Sequence, residues 1–458
     1  MNPTIIDSGT LEARRHELRK MRMSMVGGKL ISNLRTVERG VSARAYRGGY
    51  WGFASAPAVG SAADEAAALA RVRQQALANA AAMGRFGSRE DLALPGQAYR
   101  GQHRFEGRTP LSAAECGARL AELHAWVQQK YPGLRSIHFL LGEEQHHKEL
   151  STDAGGESLA SIQRGVFAMT LVGEDVEGAP IEVDEVLSSL GSLADLDWSL
   201  ATVAPLVDRL HDHLQAKRHA VAARGGLQTV VMAPELAGML AHEAMGHPCE
   251  ADAVLAGAVT ADLVGKPVAS ELVSMVDFAH HYQSAEAMCP VYVDDEGVAA
   301  RDVVMIERGL LKDFMHSRET AARLGQAPTG NARAYNPHDE PLVRMRNTAI
   351  LPGPSTLASM IEGVDDGYLL VKTGNGQADT TTEFMFGVTL GYEIKGGKLG
   401  RAIRDTTVSG SAIKVLQSVD AVGDDMVWNC AGYCGKKQPM VVSVGGPSLR
   451  ARAHLGGE

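Results

Sequence analysis

Alternating polar and apolar positions predict strands near the start of the chain. The alternation runs through residues 25–60 and is interrupted at Gly48-Gly49, where we expect a turn. Residues 61–83 are rich in alanine and lack proline and glycine, which predicts a helix with Ser61 as its N-cap. Strands and helices in separate groups, without a regular βαβ order, favour an α+β fold.

The same pattern predicts further helices and strands before a glycine-rich break. A second helix is expected at about residues 109–130, strands return at 134–183, and a third helix covers about 205–223. The Arg-Gly-Gly run that follows predicts a domain boundary. Residues 1–224 are therefore expected to form an N-terminal domain of antiparallel strands and helices.

Residues 225–458 are predicted to form a mostly β C-terminal domain. It opens with a buried strand at 229–232 and a helix from about Pro234, and strands with glycine turns dominate after that helix. The polar stretch 325–347 is long for a loop, and loops of that length are usually functional or disordered. Short helices are expected at about 318–324, 355–362 and 411–418.

Composition is typical of a globular protein of two or three domains. The chain has 458 residues, of which 45% are apolar and 22% are charged. Its net charge of -9 gives no electrostatic reason to expect nucleic acid as a partner. The N-terminus has no apolar stretch long enough for a signal peptide, and no part of the sequence reaches the roughly 20 apolar residues of a membrane span, so we expect a cytoplasmic protein.

The cysteines do not follow a disulfide pattern. There are five, an odd number, and they are scattered through a long chain. At least one is therefore expected to be free to bind a metal. They are Cys116, Cys249, Cys289, Cys430 and Cys434.

A His-Glu pair followed by a second histidine carries the clearest chemistry in the chain. His242 and His247 offer neutral imidazoles, which are good zinc ligands. Glu243 can take a proton from a water that the metal activates. This combination predicts a metal-dependent hydrolase, and in particular a metallopeptidase.

The spacing of the two histidines constrains the helix that carries them. Positions i and i+4 of an α-helix share a face, whereas i and i+5 diverge by roughly 140°. Both imidazoles can meet one metal only if the helix forms a π-type bulge near residues 244–246 or unwinds at Gly246. Pro248 favours an ending here, which places His247 at the distorted end of a short helix.

Two histidines leave a catalytic zinc ion short of a third protein ligand. Cys249 and Glu250 are the candidates nearest in sequence, although they fit packing groups, or groups that orient a ligand, better than ligands. Sequence spacing alone does not choose the third ligand. The candidates are Cys249, Glu250, His280, His281, His316, Cys430 and Cys434.

Other histidines and a glycine-rich segment receive simpler interpretations. The pairs at 146–147 and 280–281 are interpreted as surface or loop histidines, because adjacent residues of a strand point to opposite faces. Residues 374–377 are glycine-rich but lack the Lys-Ser/Thr of a phosphate-binding loop. We interpret them as a turn that lines a peptide cleft.

Four segments together resemble the TldD/PmbA family of metallopeptidases. They lie in the family's order across the C-terminal half, whereas the pattern of the N-terminal half is compatible but less specific. The segments are HEAMGHPCEAD at 242–252, APTGN at 327–331, GNGQAD at 374–379 and GYCGK at 432–436.

The resemblance implies a zinc ion held by His242, His247 and Cys434, with Glu243 as the general base. Zinc deprotonates a coordinating cysteine and binds it strongly. A thiolate donates more charge than an imidazole, so this zinc is expected to be a weaker Lewis acid. Cys430 lies outside the matching segment.

The resemblance also implies a substrate and a partner. Members of the family act on unfolded or extended peptides in an active site enclosed by a dimer, with roles in leader-peptide removal and in degradation of small flexible proteins. We expect a homodimer or a heterodimer with a related subunit, and a substrate strand that adds to a sheet edge. Two alternatives stay open, a non-catalytic subunit and a regulatory protein with a structural zinc site; the intact motif argues against the first.

Overall fold

A large antiparallel sheet with helices packed on it forms the first half of the protein. The computed structural model describes residues 10–95, 98–105, 107–378 and 381–456. The elements of the first half are β1 (Thr10–Val26), β2 (Lys29–Arg47), β3 (Tyr50–Pro57), α1 (Ala62–Met83), β4 (Arg100–Arg104), α2 (Ala113–Lys130), β5 (Ser136–Thr152), β6 (Glu157–Glu174), β7 (Pro180–Leu190) and α3 (Leu200–Lys217).

The strand order of this sheet places β1 and β5 at its centre. The order is β3-β2-β1-β5-β6-β4, with β7 also paired to β6, and β4 alone among the described strands of this sheet is parallel to its neighbour. Alternate residues of β1, including Met21, Met23 and Met25, pack with α2 and α3 in one core. The opposite face of the sheet packs against the second half of the chain.

Helix α1 covers the other end of the sheet and confirms the helix predicted at residues 61–83. Ser61 is its N-cap and forms a capping box with Asp64. Gly52 on β3 lies directly beneath this helix, where a Cβ atom would overlap the carbonyl oxygen of Ala76. Glycine is therefore required where the strand and the helix approach each other this closely.

The second half contains two larger sheets around the core that holds the candidate site. Its strands are β8 (Gly226–Met232), β9 (Met275–Phe278), β10 (His281–Tyr282), β11 (Ala285–Glu286), β12 (Val303–Glu307), β13 (Leu310–Leu311), β14 (Ala332–Arg333), β15 (Leu342–Val343), β16 (Asn347–Ile350), β17 (Asp366–Ala378), β18 (Glu383–Lys395), β19 (Lys398–Ala402), β20 (Thr406–Ser411), β21 (Ala421–Val422), β22 (Val427–Asn429), β23 (Tyr433–Cys434), β24 (Met440–Val441), β25 (Ser443–Gly446) and β26 (Leu449–Leu455). Its α-helices are α4 (Pro234–Leu240), α5 (Ala251–Leu255), α6 (Arg318–Leu324), α7 (Leu357–Glu362) and α8 (Ala412–Gln417).

Strand β8 and helix α4 place the candidate site between these two sheets. The sheet of order β17-β8-β26-β20-β18-β19 lies on one side, and the sheet of order β13-β12-β9-β16-β25-β22 lies on the other. The predicted buried strand and the helix from Pro234 are confirmed, as is the α+β fold class. The boundary between residues 224 and 225 stays a prediction. No helix in the described part of the chain has the length and apolarity needed to cross a membrane, and the cytoplasmic location stays a prediction.

The polar stretch at 325–347 is not a disordered loop. Its arginines Arg344 and Arg346 are completely buried. Arg346 pairs with the buried Asp277 at 2.8 Å and donates to several main-chain carbonyl oxygens. Part of the polar character of the stretch therefore comes from buried arginines, which link separate segments of the second half by hydrogen bonds to main-chain carbonyl oxygens.

Buried ion pairs join the two halves at Asp295. Its carboxylate accepts a hydrogen bond from Lys148 Nζ at 2.7 Å and lies 3.3 Å from Arg14 Nη1. Burial alone would raise the pKa of Asp295, but Lys148 and Arg14 outweigh it and lower the pKa to about 2. Because this lies below the value in the unfolded chain, the stabilisation is present above about pH 4 and is lost as the pH falls toward 2.

We expect Asp295→Asn to lower the free energy of unfolding at neutral pH by about 3–5 kcal/mol, because it leaves the buried Arg14 and the partly buried Lys148 without their carboxylate partner. The difference from the unmodified protein should shrink as the pH falls from about 4 to 2, where the carboxylate of the unmodified protein becomes protonated. Urea unfolding across this pH range measures the effect. A difference that is independent of pH would contradict this account of Asp295.

Candidate metal centre

The helix that carries the histidines changes its hydrogen-bond pattern at the motif. Helix α4 continues into a π-helical turn at Ala241–Gly246, and the His247 N–H donates to the carbonyl oxygen of His242. This is an i→i+5 bond, which brings positions five apart onto one face. The two imidazole centroids lie 5.0 Å apart. The predicted π-type distortion is confirmed, although it begins at Ala241, ahead of the residues where we expected it.

Gly246 permits this turn to pack closely. A Cβ atom at Gly246 would overlap Met345 Sδ on the neighbouring segment. A larger residue at this position would therefore require the Met345 side chain or the turn itself to move. The helix does not stop at Pro248 but tightens into a 3₁₀ turn at His247–Cys249, where a proline is tolerated in the first turn.

Cys434 reaches the histidines from a distant part of the chain. It lies on β23, which pairs with β24, and its Sγ atom is 3.3 Å from His247 Nε2. The buried Arg344 holds this segment by donating to the carbonyl oxygens of Cys434, Lys436 and Gln438 at 2.7–2.8 Å. Arg344 was not identified from the sequence, because no local pattern distinguishes it.

The resulting donor set fits a zinc ion. One ligand atom from each of His242, His247 and Cys434 lies within 4.8 Å of the others, and this is the only such group of three or more found among the described residues. His242 Nδ1 is buried and has no hydrogen-bond partner in the described structure. A buried unsatisfied nitrogen calls for an explanation, and two imidazoles with one thiolate are a set that zinc favours.

The electrostatics of the cluster favour a thiolate. Burial alone would raise the pKa of the Cys434 thiol, but hydrogen bonds and charges from His242 and His247 lower it to about 4. Burial opposes the charge on His247 as well, yet Glu250 and Cys434 raise the pKa of this imidazole well above its usual value. A thiolate is the form of cysteine that binds metals.

Glu243 lies beside the cluster without joining it. Its carboxylate oxygen Oε2 is 3.8 Å from His247 Nε2, and its side chain is 15% exposed. A Cβ atom at Gly376 on β17 would come within 3.3 Å of Glu243 Cγ. The Glu243 carboxylate is therefore only partly buried. Strand β17 can approach the Glu243 side chain closely because it carries a glycine at this position.

A buried ionic network contacts His247 at Nδ1, the ring nitrogen that does not face Cys434. Glu250 Oε2 is 3.0 Å from His247 Nδ1, and Lys436 Nζ donates to Glu250 at 2.9 Å and to Asp252 at 2.7 Å. Burial would raise the pKa of Glu250, but His247 and Lys436 outweigh it and lower it to about 2. The interpretation of Glu250 as an orienting group agrees with this geometry. Lys436 was missed as a functional residue, although it ends one of the four segments quoted above.

The other candidates for a third ligand lie elsewhere. Cys249 packs in the apolar core, and Cys430 contacts Cys289. His280 stacks on Tyr292, with ring centroids 4.5 Å apart. Cys434 is therefore the candidate that the fold brings to the histidines, and its role as a ligand stays a prediction.

Two of the simpler interpretations were wrong. His146 is not a surface histidine but lies on the central strand β5, where its Nε2 is 2.8 Å from Glu144 and its Nδ1 is 3.1 Å from His16. The glycine-rich segment at 374–377 is not a turn but part of strand β17, which pairs with β18 through several register shifts. Asp379, in the same quoted segment, lies outside the described residues.

Comparisons with known proteins point to one family. Residues 225–455 match a family model described as the PmbA/TldA metallopeptidase C-terminal domain, and residues 11–80 match the model of domain 1 of the same family. A zinc metalloprotease TldD homolog from Saccharolobus solfataricus is 32% identical over 73% of this chain and 74% of its own length.

Further matches are shorter or more distant in sequence. A metalloprotease from Methanothermobacter thermautotrophicus is 37% identical, and the match spans 50% of this chain and only 50% of that protein. The crystal structure of TldE from Thermococcus kodakarensis superposes with a TM-score of 0.73 over 96% of both chains, at 17% identity. That likeness concerns the fold.

Proposed function

The chain belongs to the PmbA/TldD metallopeptidase family, and from this premise we propose that it is itself a zinc-dependent peptidase. His242, His247 and Cys434 would hold the zinc ion, and Glu243 would serve as the general base. The observation that carries the proposal is the convergence of three ligand atoms within 4.8 Å, from two distant segments. The presence beside them of a carboxylate that is not one of the clustered ligands, that of Glu243, supports catalysis over a purely structural site.

In the proposed peptide hydrolysis, some residues of the chain transfer protons and others orient a metal ligand. When bound, zinc supplies Lewis acidity that polarises a carbonyl group and makes a water more acidic. The Glu243 carboxylate takes a proton from the attacking water and passes it to the nitrogen of the leaving amine. Glu250 and Lys436 hold the His247 ring in one orientation, so that Nε2 faces Cys434.

An unfolded or extended peptide is the substrate that the site supports best. Strand β17 passes Glu243 at Gly376, where the absence of a side chain leaves main-chain groups beside the base. An extended peptide could pair with such a strand through its own main chain, which would permit broad side-chain specificity. Leader-peptide removal and the degradation of small flexible proteins both fit a substrate of this kind.

A dimer is the proposed assembly. One solved structure whose fold matches is named TldE, and a TldD homolog is among the sequence relatives. A heterodimer with a related subunit is therefore one proposed form, and a homodimer is the other. The rival functions are a non-catalytic subunit and a structural zinc site. The intact His242, Glu243, His247 and Cys434 weigh against the first, and the position of the Glu243 carboxylate beside the three clustered residues weighs against the second.

The test is cleavage of an unstructured peptide by the purified chain. We expect hydrolysis that stops with a chelator and returns in proportion to added zinc. The assay is run with the chain alone and with a related subunit added. Zinc bound in a one-to-one ratio without cleavage in either assay would favour the structural site.

Glu250→Gln tests the support of His247. We expect zinc affinity to fall by about 10–100-fold, because the amide cannot hold the imidazole as the carboxylate does. Competition with a chromophoric chelator measures the affinity. Asp252→Asn is the matched control, since Asp252 contacts Lys436 as Glu250 does but has no hydrogen bond to His247 among the described contacts. Equal losses in the two variants would contradict the orienting role.

A further inference from the structure

Two cysteines outside the metal centre are neighbours in the fold. Cys289 and Cys430 are both buried, at 6% and 1% exposure. Cys430 Sγ lies 3.6 Å from the carbonyl oxygen of Met288, the residue before Cys289, and Cys289 Sγ lies 3.5 Å from the carbonyl oxygen of Val441. The two thiol groups are close enough to influence each other's ionisation. Neither takes part in the proposed peptidase chemistry.

Two fixed arginines surround this pair. Arg333 donates from Nη2 to Cys289 Sγ at 3.3 Å and from Nη1 to the carbonyl oxygen of Met345. Arg164 donates to the carbonyl oxygen of Cys430 at 2.6 Å, and its guanidinium lies 4.5 Å from the centre of the Tyr433 ring. Both guanidinium groups are buried and held by contacts of their own, so their positive charge is fixed beside the sulfur atoms.

These surroundings favour a thiolate on one sulfur and a thiol on the other. The hydrogen bond from Cys430, together with Arg333 and Arg164, outweighs burial and lowers the pKa of Cys289 to about 6. The same hydrogen bond and burial raise the pKa of Cys430. A nucleophilic sulfur thus lies against a protonated one, which is the arrangement of an attacking and a resolving cysteine.

A cavity gives small molecules a route to Cys289. It lies between the open face of the N-terminal sheet and the loop that carries Cys289, and it contains charged groups of both signs. Cys116 provides a contrast, because it lies on the buried face of α2 in the apolar core and burial raises its pKa. The charged residues that line the cavity are Glu144, Lys148, Arg164, Asp294, Asp295 and Arg333.

We propose that Cys289 is a site of oxidation by hydroperoxides and that Cys430 is its resolving cysteine. In the first step the Cys289 sulfur attacks the peroxide, an S–O bond forms, the O–O bond breaks, and hydroxide or an alkoxide leaves. In the second step the Cys430 sulfur displaces water from the sulfenic acid and gives up its proton. One disulfide forms, and the two electrons that the Cys289 and Cys430 sulfur atoms lose reduce one hydroperoxide to water and an alcohol, or to two waters.

The experiment treats the zinc-loaded full-length protein with hydrogen peroxide and follows each cysteine by peptide mass spectrometry. We expect a Cys289–Cys430 disulfide that forms at least about tenfold faster than Cys116 is oxidised, because the thiolate is the reactive form. In Cys430→Ser, Cys289 should stop at a sulfenic acid that dimedone traps. Zinc loading protects Cys434, which would otherwise compete.

Two results would overturn the proposal. One is oxidation of Cys289 no faster than that of Cys116, and the other is a disulfide that joins either cysteine to a different partner. Arg333→Met provides a second measurement should the serine variant fail to fold. It removes the cation at Cys289 and is expected to slow formation of the disulfide several-fold, so an unchanged rate would also count against the proposal. None of these readouts depends on peptidase activity.

Discussion

Glu243→Gln is expected to lower kcat/KM for peptide cleavage by about a hundredfold to ten-thousandfold while zinc stays bound. The amide has the size of the carboxylate but cannot accept a proton at neutral pH. Glu243 is 3.8 Å from His247 Nε2 and is not one of the three clustered ligands, so its loss should leave the metal in place. Steady-state kinetics and zinc analysis on the same preparation measure both effects.

Glu235→Gln is the matched control for this prediction. Glu235 lies at the start of the same helix, where it pairs with Lys372, and the substitution makes the same chemical change outside the site. We expect it to retain zinc and most of the activity. Activity in Glu243→Gln at the level of the control would remove Glu243 from the mechanism.

Cys434→Ser is expected to remove both zinc binding and cleavage. A serine hydroxyl stays protonated where the thiol, with a pKa of about 4, is already ionised, so a ligand is lost outright. The loss of affinity should exceed the about 10–100-fold that accompanies loss of an orienting group. Equilibrium dialysis against buffered zinc measures the affinity.

Cys430→Ser separates this effect from general disturbance of the segment. Cys430 precedes Cys434 in the same segment and is also buried, but it contacts Cys289 and not the histidines. We expect this variant to bind zinc as the unmodified protein does. Equal zinc affinity of Cys434→Ser and Cys430→Ser would contradict the assignment of Cys434 as a ligand.

Features that depend on local sequence could be predicted. The Ser61 cap, the alanine-rich helix and the strand before Pro234 follow from propensities within a few residues. The π-helical turn also followed from spacing, because two ligands five positions apart cannot share a face of an ordinary α-helix.

Features that depend on contacts between distant segments could not be predicted. Strand β1 begins at Thr10, well before the alternating region that predicted strands. Its polar residues Glu12, Arg14 and His16 are buried against the second half of the chain. Because polar residues lie on a buried face, the sequence of this strand does not show the polar and apolar alternation of a half-buried strand. The second helix begins at Ala113 and not at residue 109, because Ser112 and Glu115 form its cap.

The candidate site shows the same division. His242, Glu243 and His247 lie within one segment and suggest their chemistry directly. Cys434 required the family resemblance, because its approach depends on the pairing of β23 with β24 and on the three hydrogen bonds from Arg344. The contact between Lys436 and Glu250 likewise exists only in the folded chain.

Coordination of zinc by His242, His247 and Cys434 is the point on which the proposed peptidase depends, and X-ray absorption at the zinc edge measures it directly. In the zinc-loaded protein we expect one sulfur at about 2.3 Å and two imidazole nitrogens at about 2.0 Å, with the remaining position filled by oxygen. The sulfur contribution should disappear in Cys434→Ser and persist in Cys430→Ser. A first shell without sulfur, or one with two sulfurs, would contradict this metal centre.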